Sequence, residues 1–223
     1  MKISEIFYSI QGEGSLAGVP SAFVRTSGCN LRCVWCDTPY ASWNPEGEEM
    51  TVDAILGRVS QTPSRYAVIT GGEPMIAPGI VDLTQRLRDR GMHVTIETAG
   101  TVFADVGCDL MSVSPKLANS TPPGQFQMRH ERVRIQLEVL RRLISNFDYQ
   151  LKFVIANPAD VEEAADIAAQ LGALPHKTIL MPEGIDPAVL QERGLWLAEI
   201  CKQRQFRYGP RLHVDLYGNR RGT

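Results

Sequence analysis

The chain has 223 residues, 43% of them hydrophobic, and a formal charge of −2, enough apolar material for one sizeable core. Its mixed surface charge excludes the clustered lysine and arginine that a nucleic-acid or anionic-membrane binder needs. The start, Met1-Lys2-Ile3-Ser4-Glu5, lacks the apolar stretch of a signal peptide, so a cytoplasmic setting is expected, where crowded cysteines read as metal ligands before disulfides.

In chain order the pattern alternates strand and helix, and no repeat or Gly/Ser-rich linker divides it, so one domain over 1–223 is expected. Residues 22–25 read as a strand running into a cysteine loop, 52–59 as a helix, and 67–70 as a strand ending at Gly71 and Gly72. A helix over 80–89 precedes a strand over 92–97, and 110–114 is another short strand. Residues 131–144 carry Val133, Leu137, Leu140 and Ile144 at helical spacing and read as one helix. A strand at 151–155, an alanine-rich helix at 161–171, a strand at 179–181 and a helix at 190–203 complete the series.

Near-continuous apolar strands separated by helices predict a parallel sheet covered on both faces. A closed eight-fold barrel takes about 250 residues, whereas this chain yields about six units. The expected fold is therefore α/β, an open, incomplete (β/α) barrel with its reactive groups at the carboxyl edge of the strands.

The chemistry starts with Cys29, Cys33 and Cys36, spaced CxxxCxxC between Gly28 and Pro39. Three thiolates on a cluster that normally takes four would leave one iron open to a small molecule. The same count admits a zinc site completed by Cys108, Cys201, His93, His130, His176 or His213, because structural zinc is almost always four-coordinate. Further polar elements fall at successive strand ends: Gly71-Gly72-Glu73-Pro74, Glu97-Thr98 and Ser114-Pro115-Lys116. Gly72 lets backbone approach a ligand closely, Glu97 offers a carboxylate, and Ser114 and Lys116 offer a hydroxyl and a cation.

The cysteine spacing with Trp35 before the third thiol, together with GGEP, resembles the radical S-adenosylmethionine superfamily. Adding Ile10-Gln11-Gly12-Glu13-Gly14, Phe23-Val24-Arg25 and Cys36-Asp37-Thr38, most of the chain resembles the 7-carboxy-7-deazaguanine synthases of the deazapurine branch leading to queuosine. That resemblance implies a lyase that contracts 6-carboxy-5,6,7,8-tetrahydropterin to 7-carboxy-7-deazaguanine with loss of ammonia, using a [4Fe-4S] cluster, S-adenosyl-L-methionine and Mg²⁺.

By the same resemblance Cys29, Cys33 and Cys36 hold the cluster, and Trp35, Gly72, Glu73, Glu97, Ser114, Pro115 and Lys116 hold the S-adenosylmethionine. Ile10, Gln11, Gly12 and Glu13 meet the guanidine-like pterin edge, Arg25 meets its carboxylate as a planar fork, Thr70 gives a hydroxyl at the mouth, and His213 closes over the substrate. Thr38 matches the magnesium position, where one hydroxyl needs substrate oxygens and waters to complete the octahedron. Implied partners are an electron-donating reductase or flavodoxin-like protein and a second copy in a homodimer. No general base is assigned; Glu13 is a candidate only through its place in the site. The nearest enzyme alternative is a glycyl-radical activating enzyme, which shares CxxxCxxC and GGEP, and the non-enzyme alternative is a zinc-stabilised binding module.

Overall fold

Seven parallel strands make up most of one nine-stranded open sheet in the computed structural model, which describes residues 1–223. In chain order they are β2 (Pro20–Thr26), β4 (Tyr66–Gly71), β5 (His93–Thr98), β6 (Leu110–Val113), β7 (Tyr149–Ile155), β8 (Thr178–Pro182) and the two-residue β9 (Arg207–Tyr208). They pair in that sequence. Six of the seven are four residues or longer, which matches the six units read from the sequence. Two antiparallel strands, β1 (Lys2–Ile10) and β3 (Glu48–Glu49), extend the β2 edge.

Helices cover one face of the parallel strands rather than both, and the other face carries polar side chains such as Arg25, Thr70, Glu97 and Lys152. Ala67, Val68 and Ile69 of β4 and Leu151, Phe153 and Ile155 of β7 are buried. Helix α2 (Val52–Val59) buries Ile55, Leu56 and Val59 after the Thr51 hydroxyl caps it by accepting from the Ala54 N–H at 3.2 Å. Helix α3 (Ile80–Asp89) buries Ile80, Leu83 and Leu87 at the same helical spacing. Each such leucine contributes about 1.5–3 kcal/mol when fully removed from water. Helices α6 (Ala159–Leu171) and α7 (Pro187–Arg204) continue the layer, the latter capped by Asp186 accepting from Ala188 N–H at 2.8 Å. No helix is long and apolar enough to cross a membrane.

Two departures from the sequence reading have physical causes. The span 131–144 is two helices, α4 (Gln127–Arg134) and α5 (Leu137–Asn146), separated by an extended Ile135. Its helical spacing is genuine but serves two cores: Val133 packs on a small cluster of Leu31, Cys33 and Ala99, whereas Leu140 and Leu143 enter the main core. One straight helix does not reach both. Strand β1 was not expected at all. A register shift between Ile3 and Glu5 interrupts its alternation.

The two short helices α1 (Pro39–Ser42) and α8 (Leu212–Tyr217) lie outside the main layer, after the cysteine loop and in the C-terminal tail respectively.

Candidate active site

Along the inner face of the sheet one register layer is polar from strand to strand. Arg25 of β2 is level with Thr70 of β4, Glu97 of β5 with Ser112 of β6, and Ser112 with Gln150 of β7. The layer is stitched by side chains: Thr70 Oγ1 donates to Glu97 Oε2 at 3.0 Å, and Gln150 Nε2 donates to Ser112 Oγ at 2.8 Å. Above it lies a cavity of about 220 Å³. Every predicted site residue lines it except Glu73 and Pro115.

The cysteine wall is fixed by backbone. Gly28 N–H donates to Ala41 O at 2.8 Å, Glu73 N–H to Gly28 O at 2.9 Å, and Gly72 N–H to Thr26 O at 3.2 Å. A Cβ on Gly72 would sit 2.2 Å from Gly28 O, so only glycine lets the GGEP turn lie against the cysteine loop. Glu73 is fully buried and spends its carboxylate inside the protein, accepting from Met75 N–H, Thr98 Oγ1 and Ala99 N–H. It therefore clamps the end of β5 to the GGEP turn rather than presenting oxygens to the cavity.

Cys29, Cys33 and Cys36 line one cavity. Burial pushes the Cys29 thiol up to about 11 and the Cys33 thiol up to about 12, so a metal's charge is what would strip their protons. No three His, Cys, Asp or Glu side chains are placed to hold a single ion. Three of the distant candidates are engaged elsewhere: Cys108 donates to Val94 O, Cys201 is in the main core, and His130 contacts Ser120 and the Arg32 N–H, whereas His213 lines the same cavity as the cysteines. Lys116 donates to Ser114 O and Oγ, both at 2.9 Å, and lies 6.0 Å from the centre of the Trp35 ring. The Trp35 indole N–H is held by Asn119.

The other wall is fixed by charge. Glu13 pairs with Lys152 and, at 3.2 Å, with Arg211. Arg211 also pairs with Asp37 and donates to Gly184 O at 2.5 Å. Burial would push Glu13 up, but Lys152 and Arg211 outweigh it and hold its carboxyl far below the usual range. Burial is likewise outweighed by Arg211 at Asp37, which is lowered. Gln11 donates to Glu97 Oε1 at 3.1 Å, and Lys152 Nζ stands 3.9 Å from the same oxygen. Thus Glu97, predicted to meet the cofactor, already joins the residues predicted to meet the substrate.

The glycines of IQGEG have packing reasons. A Cβ on Gly12 would fall 1.9 Å from His213 Nδ1, and Gly12 O accepts from Leu212 N–H at 2.9 Å, so this turn seats the tail. Gly14 has φ of +73° and would clash with Gln150. Burial lowers the His213 pKa despite Glu13 nearby, which favours the neutral ring. Arg25 gives Nε to Glu5 at 2.6 Å, and Tyr40 hydroxyl donates to the same oxygen at 3.0 Å. The terminal nitrogens of Arg25 have no protein acceptor, which keeps the outer fork free for a ligand carboxylate. Thr38 lines the cavity with its hydroxyl 3.8 Å from the Cys36 sulfur.

Sequence reasoning missed Lys152 and Arg211. Lys152 had a signal: a cation inside the apolar run of β7, Tyr149–Ile155, has to be paired if that strand is buried. Arg211 had none beyond its closeness to His213.

Residues 23–156 match the Radical SAM superfamily. The chain is similar to the 7-carboxy-7-deazaguanine synthase of Rhodopirellula baltica, with 45% identity over 226 residues, 99% of this chain and 88% of that protein. It is 43% identical over 234 residues to the 7-carboxy-7-deazaguanine synthase of Halobacterium salinarum, 98% of this chain and 91% of that protein. Among solved structures, QueE from Escherichia coli superposes with a TM-score of 0.69 at 26% identity, over 93% of this chain and 92% of that one.

Proposed function

The chain belongs to the radical S-adenosylmethionine superfamily and, within it, to the 7-carboxy-7-deazaguanine synthase family, and on that premise we propose how its cavity performs the family's reaction. It is a lyase that contracts 6-carboxy-5,6,7,8-tetrahydropterin to 7-carboxy-7-deazaguanine with loss of ammonia, in queuosine and 7-deazapurine biosynthesis. The cluster and S-adenosylmethionine supply the hydrogen-abstracting radical. Everything else is binding, orientation and exclusion by this chain's own residues.

Cys29, Cys33 and Cys36 would hold the cluster and leave its fourth iron to the cofactor. The Gly72 backbone, held against the cysteine loop, would meet the cofactor's amino group; Glu97 would accept from ribose hydroxyls; Ser114 and Lys116 would take its remaining polar groups, and Trp35 its adenine. Glu73 and Pro115 shape that wall from behind.

On the other wall Glu13, kept ionised by Lys152 and Arg211, is an acceptor only. That is the complement of a pterin edge made of N–H donors, which Gln11 and the Ile10 and Gly12 backbone would help to read. Arg25 would offer its free fork to the carboxylate, Thr70 its hydroxyl, and His213 a ring over the Gly12 turn. Thr38 would supply the one protein oxygen for Mg²⁺, with substrate and water providing the rest. The whole chain, 1–223, acting as one domain in a cytoplasmic homodimer completes this reading.

The observation that carries it is the meeting of IQGEG and CxxxCxxC in one cavity, tied together by Arg211 between Glu13 and Asp37. A glycyl-radical activating enzyme needs room for a protein strand, whereas here Asn219, Arg220 and Thr223 of the tail line the same cavity. Anaerobic turnover with cofactor, reductant and carboxytetrahydropterin tests the reaction: ring-contracted product is expected, and its absence from cluster-loaded protein would sink the proposal. Arg25→Ala should weaken pterin binding about ten- to hundredfold, the worth of one charged hydrogen bond, as measured by calorimetric titration. Unchanged affinity would show that another cation holds the carboxylate.

A further inference from the structure

Helix α4 has only two apolar residues, Met128 and Val133, and the one residue of it that is buried is a histidine, His130. A surface helix ordinarily buries an apolar stripe. Here the buried group is polar and 1% exposed, so its hydrogen bonds have to account for its place.

Those bonds run in one direction. The Arg32 N–H donates to His130 Nδ1 at 3.1 Å, so that nitrogen carries no proton and Nε2 does. Nε2 stands 2.9 Å from Ser120 Oγ and therefore donates to it, and the hydroxyl passes its own hydrogen to Leu117 O at 2.6 Å. The Ser120 carbonyl in turn accepts from the Val34 N–H at 2.9 Å. The two amides that flank Cys33 are thus tied to one unit, in which His130, Ser120 and Leu117 are all buried. Cys33 O itself accepts from Trp43 Nε1 at 2.9 Å. Val133, one turn after His130 on α4, packs on the cluster of Leu31, Cys33 and Ala99. Both residues bear on the cysteine loop.

We propose that His130 is a positioning residue for the metal centre: with Ser120 it presets the backbone on either side of Cys33, so that this loop is ordered for its metal before any metal binds. His130 touches no sulfur and takes no part in the chemistry. It acts through the Arg32 amide, as an outer group that orients a ligand. Ordering residues 32–34 in the apo fold removes that entropic cost from cluster assembly. The inference rests on Cys29, Cys33 and Cys36 holding the cluster, and its first readout needs none.

The test compares wild type with His130→Leu, His130→Asn, Ser120→Ala and Leu143→Ala, the last a main-core change outside the relay. In apo-protein, hydrogen exchange of the Arg32 amide, followed by NMR, should quicken about tenfold in His130→Leu. It should stay near wild type in His130→Asn, whose Oδ1 keeps an acceptor at the Nδ1 position. In reconstituted protein, release of iron to a chelator should quicken about tenfold in His130→Leu, the worth of one stranded amide, and His130→Asn should recover most of that loss. Ser120→Ala, which leaves Nε2 without its acceptor, should move both rates the same way by less, and it carries the test if His130→Leu does not fold. Leu143→Ala should lower the melting temperature more than His130→Leu and leave both rates at the wild-type level. Unchanged Arg32 exchange in the relay variants overturns the proposal. So does iron release in Leu143→Ala as fast as in His130→Leu, which would tie retention to overall stability. If wild type takes up no iron while its Arg32 amide is protected, the relay stands and the proposed function falls.

Discussion

The two walls of the cavity are built on opposite principles. The cysteine wall is held by backbone hydrogen bonds among Thr26, Gly28, Ala41, Gly72 and Glu73, by close glycine contacts, and by a small apolar cluster of Leu31, Cys33 and Ala99. The pterin wall is held by Lys152, Glu13, Arg211 and Asp37, ion pairs in which the two cations are buried and the two carboxylates half-buried. Backbone contacts add up one at a time, so that losing one leaves the others intact. Buried charges do not, because removing one strands its neighbours without compensation. The metal wall should therefore tolerate single changes that the substrate wall will not.

Acid gives the largest expected break in this symmetry, since it discharges the whole pterin wall at once. Glu13 and Asp37 have depressed pKa values in the fold, so their contribution to stability is fully present above the ordinary carboxylate range near about 4 and is lost as pH falls through it toward their folded values. Thermal unfolding followed from pH 7 down to pH 3 should show the melting point falling steeply below about pH 4. In Arg211→Met that acid limb should become shallower, because the folded-state pKa values move back toward normal. An identical limb in that variant would show that other carboxylates govern it.

Arg211→Met itself should cost about 3–5 kcal/mol in urea unfolding, the range for breaking a buried charge pair from one side, since Glu13 keeps only Lys152 and Gly184 O loses its donor. On the cysteine wall, Leu31→Ala should cost about 2–3 kcal/mol, a cavity-making loss, and leave the acid limb as it is. If the leucine change proves the more damaging at pH 7, the contrast between the walls is wrong.

The same contrast explains what was legible beforehand. The cysteine wall is written in short stretches, Cys29 to Cys36 and Gly71 to Pro74, whose residues act on near neighbours in the sheet, and the strand-and-helix alternation places them at one edge. The pterin wall joins Glu13 to Lys152 across 139 positions and to Arg211 across 198. No local pattern encodes such a pairing; only the odd lysine in an apolar strand hints at it. The break at Ile135 was hidden because periodicity reports that a face is apolar and is silent about which core receives it. The place of Arg25 in the cavity was legible, whereas its pairing with Glu5 needed β1, a strand the pattern did not reveal.

Gly12→Ala comes next in size. The added methyl would overlap the His213 ring, so the tail must lift from the IQGEG turn, at a cost of about 1–3 kcal/mol typical of overpacking. Its signature is a split between walls: pterin affinity should fall, whereas S-adenosylmethionine affinity in the cluster-loaded protein should hold. Titration calorimetry with each ligand checks this, and a matching loss of cofactor affinity would mean that His213 supports both.

The smallest change tests where the two walls join. Thr70 donates one hydrogen bond from a neutral hydroxyl to the Glu97 carboxylate, which also accepts from Gln11 and is 23% exposed. If the cofactor wall relaxes locally, water or the remaining amide replaces that donor, and Thr70→Val should cost no more than about 1 kcal/mol in urea unfolding. Thr70→Ser, which keeps the hydroxyl, should be closer still to wild type. A loss near that of Arg211→Met would mean that Glu97 cannot be rehydrated, and that the polar layer from Thr70 through Glu97 to Lys152 belongs to the ionic network after all. The division between a backbone-held wall and a charge-held wall would then have to be redrawn one strand closer to the cysteines.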